Sequence, residues 1–364
     1  MKLISKVEMS LMTWLERARD EGTPLIDGDQ VTFVWYGEGA EPAPILVGDF
    51  NDWDGAGRPI QLEQIEPDVW AHTMTLPADA YIEYAYMLSR EERLADPFNP
   101  HVVWNGMDAV NHVFIMPECD LTDLVARKKG VQRGTVTRHL VEAGSTVASA
   151  PREVYLYQPP VTEAVPLVVV WDGPDYMRRA YLCNIVDNLI AQGRIEPIAL
   201  ALLGNGGSAR MVEYTENDTT LYFVREHVLP LAQTELNLID IKAQPGSYGV
   251  LGASMGGLMA LWAGVRMPEI FGKVISQSGA FGIAPDGREM LIDKLIKLGE
   301  GRSIQIWQDA GTLEWLLTGN RQMHELLRTH GYNVIYHEFS GSHNYTMWSN
   351  TVWRALEVMF GKGN

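Results

Sequence analysis

An all-β sandwich followed by an α/β domain with a mostly parallel sheet is the fold class this sequence predicts. Three observations predict it. Short β-rich runs separated by turn residues fill the first third of the chain. Continuous apolar runs then alternate with amphipathic segments to the C-terminus. A G-x-S-x-G pentapeptide, Gly252-Ala253-Ser254-Met255-Gly256, falls where one of those apolar runs gives way to a helical pattern.

The elements follow in order. "MKLISKVEMSLMTWLERARDEG" repeats Leu3, Val7, Leu11 and Leu15 at helical spacing, which predicts an amphipathic helix within residues 1–24. Its regular charges exclude a signal peptide, and no apolar run is long enough to span a bilayer. Residues 25–117 carry "QVTFVWYG", "APILVGDF", "VWAHTMTL", "YIEYAYML" and "NHVFIMPE", read as sandwich strands. A polar, basic connector is expected over 118–127. From 128 to 364 strands are expected at "EVYLYQ", "LVVVW", "IALALL", "YGVLG", "KVISQSG", "SIQIWQ" and "VIYHEF". Several are apolar throughout, as both faces of a buried parallel sheet require. Helices are expected near 179–192, 219–236, 255–267, 288–298, 318–330 and 346–361.

Composition narrows the function. At 364 residues the chain is long enough for two domains, and 46% hydrophobic content with 11 tryptophans supplies substantial cores. Its 29 basic and 46 acidic residues leave a net charge of -17, which argues against nucleic acid or an anionic membrane as partner. Cys119 and Cys183 lack metal-type spacing and read as reduced thiols, consistent with a cytoplasmic protein. Nothing calls for a metal or cofactor.

Ser254 meets the context test for a nucleophile on a sharp turn. "SYGVLG" before it is strand-like, and "GGLMALWAGVRMPEIF" after it is helix-like. That geometry aims the Met255 N–H at a reacting carbonyl oxygen. A serine hydroxyl needs a base, and the chain order Ser, acid, His directs attention downstream. Of His324, His330, His337 and His343, only His343 stands in a loop, "SGSHNYTMW", after the last strand and before the last helix. The acid belongs in "DAGTLEWLLTGN": Glu314 is preferred, because a residue several positions into the loop can reach the histidine, and Asp309 at the strand end is the alternative. The second oxyanion donor belongs in "DGPDY"; Pro174 has no N–H, leaving Gly173 or Asp175, with Gly173 preferred.

With these pieces in place, residues from about 25 onward resemble the enterochelin (ferric enterobactin) esterase group of the esterase D-like superfamily. The residues that carry the resemblance are "GDFNDWD", "WDGPDY", "GASMGG", "SQSGAF", "GTLE" and "GSHNYTMW". "RMVEY", residues 210–214, is similar to that group's R-x-x-E-Y segment, in which Arg210 either binds substrate or buttresses the fold. The resemblance implies an α/β-hydrolase fold behind an immunoglobulin-like, early-set (glycogen-binding-like) module, and a serine esterase working through an acyl-enzyme. Trp53 in that module either stacks on a sugar or packs the sandwich edge. Family members hydrolyse siderophore trilactones, feruloyl and acetyl esters and thioesters, and mycolyltransferases share the catalytic fold. The expected partner is therefore a small-molecule or sugar-linked ester. An anionic ferric complex should meet several cations, yet only Arg178, Arg179 and Arg210 lie close to the motifs. Asp175 and the aromatic residues Trp171, Tyr176, Tyr181, Trp315, Tyr345 and Trp348 are substrate-site candidates, better suited to an aromatic or sugar-linked acyl group. The competing class is a carbohydrate-binding protein with an inactive hydrolase domain.

Overall fold

In the computed structural model the described residues are 13–363, apart from 39–42, 55–58, 90–91, 107–108, 143–150, 283–288 and 302. They form two compact units. The first comprises the described residues up to 120 together with Thr312–Trp315 and Ser340–His343; the second holds the rest.

In the first unit all strand pairings are antiparallel. One sheet has the order β1-β2-β6-β5, with β1 Leu25–Asp27, β2 Gln30–Tyr36, β5 Glu63–Glu66 and β6 Val69–Thr75. The other has the order β4-β3-β7-β10-β9, with β3 Ile45–Gly48, β4 Ile60–Gln61, β7 Tyr81–Met87, β9 Val102–Trp104 and β10 Val110–Ile115; β8, Arg93–Leu94, pairs with β7. The sheets share one core, where Phe33 of β2 meets Tyr84 and Phe114 edge-on at centroid distances of 5.1 and 5.7 Å. Leu313 packs against that same core. The short helix Trp14–Glu21 is held by a reciprocal Thr13/Glu16 capping box and ends at Gly22 with φ +82°. Leu3, Val7 and Leu11 of the helix expected from the sequence lie outside the described residues.

The second unit is built on eight strands in the order β11-β12-β14-β13-β15-β16-β17-β18. These are Thr135–Val141, Arg152–Gln158, Ala199–Leu203, Leu167–Val170, Tyr248–Ala253, Phe271–Gln277, Gln305–Gly311 and Asn333–Phe339 in that order. The β11–β12 and β12–β14 pairings are antiparallel, and the rest are parallel. β13 and β14 are buried along their whole length, which is why they read as unbroken apolar runs. β14 is added on one side of β13 and β15 on the other, so the order of addition reverses there. Open α/β sheets bind ligands at such a switch point, beyond the carboxyl ends of the strands.

One expectation needs correcting. The segment 219–236 is not one α-helix: Asp218–Phe223 passes through a π-turn at Val224–Val228 into Leu229–Glu235. Pro230 has no N–H to bond the carbonyl one turn back, so the α ladder cannot run through. The stretch 118–127 is anchored at its centre. Leu124 is buried, and the Asn188 amide donates to the Leu124 and Ala126 carbonyls at 2.7 and 2.9 Å. Among the described residues, no helix is long and apolar enough to cross a membrane, and no group of His, Cys, Asp or Glu is arranged to hold a metal ion.

Candidate active site

Ser254 sits between β15 and the helix Met255–Arg266, with φ +59° and ψ -125°. That conformation is unfavourable for a residue with a Cβ, and the local fold over-determines it. The Ser254 N–H donates to the Gln277 carbonyl at 2.9 Å, and the Ser254 carbonyl accepts from Gly257, Leu258 and Ala280 at 2.9, 3.1 and 2.9 Å. The glycines are there for space. A Cβ on Gly252 would come within 2.2 Å of the Gly256 carbonyl oxygen, and one on Gly257 within 2.9 Å of the Ser276 hydroxyl. A Cβ on Gly256 would press on Trp171 and Asp172 at 3.2 Å.

Met255 is the first residue of its helix, and its N–H has no acceptor one turn back. The same holds for Gly173, which opens the helix Gly173–Arg178 after β13. β13 and β15 are hydrogen-bonded neighbours, with Val170 level with Leu251, so the two helix starts leave the same sheet edge side by side. Gly173 cannot be replaced freely: a Cβ there would lie 2.4 Å from the Leu202 Cα. Asp172, in the left-handed region at φ +52°, forms the turn. Its carboxylate accepts from Arg210 at 2.8 and 2.7 Å and from the Asn205 amide at 2.6 Å. Arg210 thus spends its guanidinium on the turn beside Gly173. Burial opposes its charge, but Asp172 raises its pKa overall. Asp175 is half-buried and lies 3.5 Å from Arg179; burial, outweighing that arginine, pushes its carboxyl above the usual range.

His343 and Glu314 belong to the first unit. The imidazole Nδ1 lies 3.0 Å from Glu314 Oε2, and the Glu314 side chain is fully buried. A carboxylate only accepts, so this bond places the proton on Nδ1 and leaves the lone pair on Nε2. The Trp315 ring lies 4.6 Å from the imidazole and is 52% exposed. Asp309 is held elsewhere. It is fully buried at the end of β17, where Oδ2 accepts from the Trp307 indole at 3.0 Å and the Gln277 amide at 3.3 Å.

The other histidines have structural partners. His324 stacks on Tyr336 at 4.8 Å, His330 Nδ1 bonds the Leu326 carbonyl at 2.8 Å, and His337 meets the Arg354 guanidinium at 2.9 Å. Burial lowers the pKa of His324 and His337. Cys119 and Cys183 are free thiols whose pKa values burial pushes up to about 11 and about 12, so neither competes as a nucleophile.

Of the aromatic candidates, Trp171, Tyr176 and Trp348 are buried. Tyr176 is fully buried and donates to Gln277 Oε1 at 2.8 Å. Trp348 is 4% exposed, its indole donating to the Ser278 hydroxyl at 2.9 Å and its carbonyl accepting from the Gln277 amide at 3.1 Å. Trp53 is also engaged: its indole donates to Asp49 at 3.0 Å, and the Arg93 guanidinium lies 5.4 Å from its ring.

Sequence reasoning left Gln277 and Asp172 without roles. Both are polar residues at or just beyond the carboxyl end of an apolar run, "KVISQ" and "LVVVWD", and that position was the available signal.

The chain is 23% identical to the iron(III) enterobactin esterase of Dickeya dadantii over 95% of its own length and 92% of that protein's. It is 24% identical to the iron(III) salmochelin esterase of Escherichia coli O6:H1 over 98% and 91%. Among solved structures, the ferric enterobactin esterase from Salmonella typhimurium has the same fold, with a TM-score of 0.76 at 21% identity, covering 92% of this chain and 95% of that one. A ferulic acid esterase from Anaeromyces mucronatus reaches 0.55 at 19% identity, covering 66% and 96%. The sequence model of the Esterase family, described as "Putative esterase", matches residues 145–358, more than half of the chain, and this protein belongs to that family.

Proposed function

We propose that this carboxylic ester hydrolase works through a Ser254-His343-Glu314 triad and an acyl-enzyme. The observation that carries the reading is the backbone of Ser254, a serine forced to φ +59° between a strand and a helix. The His343–Glu314 bond supports it, since an imidazole with its proton fixed on Nδ1 is ready to act as a base through Nε2. His343 takes the Ser254 proton as the hydroxyl oxygen attacks the ester carbonyl. The Met255 and Gly173 N–H groups stabilise the resulting oxyanion. Collapse breaks the ester C–O bond, and the imidazolium returns the proton to the departing alcohol. Water then repeats the sequence on the acyl-serine.

The substrate we assign is a catecholate siderophore ester, the class named in its relatives. A feruloyl- or acetyl-type ester, free or sugar-linked, is the second reading. It is favoured by the exposed Trp315 ring beside His343 and by the pairing of Arg210 with Asp172, which removes a cation from the set available to an anionic ferric complex. With a net charge of -17, no role is assigned to nucleic acid or membrane. The all-β unit is read as the early-set, immunoglobulin-like module, its boundaries near 25 and 117.

The test is a stopped-flow burst with p-nitrophenyl acetate, followed by a panel of ferric enterobactin, metal-free enterobactin, methyl ferulate and acetylated xylan. A burst in the wild type that disappears in Ser254→Ala is expected. Undiminished turnover by Ser254→Ala would refute the nucleophile. Rates on methyl ferulate above those on both enterobactin forms would select the second reading.

A further inference from the structure

We infer that Asp49 and Ser342 are positioning residues that hold His343 and Glu314 in register, so that the "GDFNDWD" turn is part of the catalytic apparatus and not a sugar platform. The inference rests on the triad reading of His343.

Asp49 is 3% exposed and directly follows β3. Its carboxylate gathers three donors from different parts of the first unit. The Glu83 N–H of β7 donates at 2.8 Å, the Trp53 indole at 3.0 Å, and the hydroxyl of Ser342 also bonds it. Ser342 is 1% exposed and is the residue immediately before His343.

The acid is anchored in a parallel way. Leu313, immediately before Glu314, packs into the apolar core of the first unit, and its N–H donates to the Gly341 carbonyl at 3.0 Å. Each member of the His343–Glu314 pair therefore follows an anchored residue, one tied by a buried hydrogen bond and the other by apolar packing.

The turn itself is shaped for this task. The Asn51 side chain accepts from the Gly48 N–H at 2.9 Å, and Asp52, Trp53 and Asp54 all have positive φ, which brings the Trp53 indole back onto Asp49. The Trp53 ring covers Val47, Ala85 and Met87 on the outer face of the sheet. A residue committed to Asp49 on its polar edge and to apolar packing on its ring has little left for a sugar.

On the triad reading, an imidazole displaced by about 1 Å still binds Glu314 but no longer meets the nucleophile at the right distance. Such misplacement costs on the order of 10²-fold in rate. The experiment uses the full chain and p-nitrophenyl acetate, comparing Ser342→Ala, Asp49→Asn, their double mutant, Ser342→Thr and His343→Ala. Thermal melts and the downfield proton resonance of the His343 imidazole are recorded alongside. Expected are a kcat reduced on the order of 10²-fold in Ser342→Ala and Asp49→Asn with KM nearly unchanged, and a double mutant little worse than either. The downfield resonance should shift or broaden, and Ser342→Thr, which keeps the hydroxyl, should recover most of kcat. Should Asp49→Asn fail to fold, Ser342→Ala with Ser342→Thr decides alone. Wild-type kcat in Ser342→Ala with an inactive His343→Ala overturns the positioning role and leaves the triad standing. Full activity in His343→Ala overturns the triad and this inference with it.

Discussion

Glu314 and Asp309 are both buried carboxyl groups close to the end of β17, and their bonding separates them. Glu314 spends one oxygen on the His343 Nδ1 proton, whereas Asp309 accepts from an indole and an amide inside the sheet. Glu314→Gln offers Nδ1 an amide whose nitrogen is a donor, so the productive tautomer is no longer selected. Its kcat should fall by orders of magnitude, on the scale of about 10⁴ found when a serine-protease triad aspartate becomes an amide, while the fold persists. Asp309→Asn should act on stability: its amide oxygen can accept from Trp307 and Gln277 only by burying the new N–H₂ at the place of the other carboxylate oxygen, at a cost of about 1–3 kcal/mol. Steady-state kinetics with one small ester and urea melts on both variants check this. Both candidates were legible in the loop sequence, but only their bonds tell them apart, since a hydrogen bond across nearly thirty residues leaves no local mark.

In the proposed mechanism the chemistry rests on the strand–turn–helix around Ser254. Backbone strain of this kind costs on the order of 1–3 kcal/mol and persists only where neighbours enforce it. Gly252 and Gly256 are the enforcers by absence, letting strand and helix backbones approach. Gly252→Ala must therefore move the helix start or unfold the turn. Its expected cost is about 1–3 kcal/mol in stability, as for other overpacked sites, with a larger proportional loss of kcat because Ser254 and the Met255 N–H shift together. Denaturation midpoints and kcat measured on the same preparation distinguish this from simple destabilisation. The element was readable from sequence because its cause is local: an apolar strand, small residues at the crossing and a helical run. The π-turn after Phe223 had one local signal, Pro230, which amphipathic spacing overrode.

Over the whole molecule, legibility follows the range of the interactions. The parallel sheet was visible in runs such as "LVVVW" and "IALALL", because burial on both faces writes itself into every residue. β7 shows the limit: all seven residues of "YIEYAYM" are buried, with Ala85 and Met87 packed against Trp53. The membership of 312–315 and 340–343 in the first unit had no sequence signal, because it depends on where Leu313 and Ser342 find partners hundreds of residues away. The proposed mechanism turns on Ser254 as the nucleophile of the ester hydrolase. A fluorophosphonate probe reads this out, with the modified peptide identified by mass spectrometry in the wild type and in Ser254→Ala and His343→Ala. One adduct per chain is expected, on Ser254, formed far more slowly in His343→Ala and absent in Ser254→Ala. An adduct on any other residue, accompanied by loss of esterase activity, would contradict it.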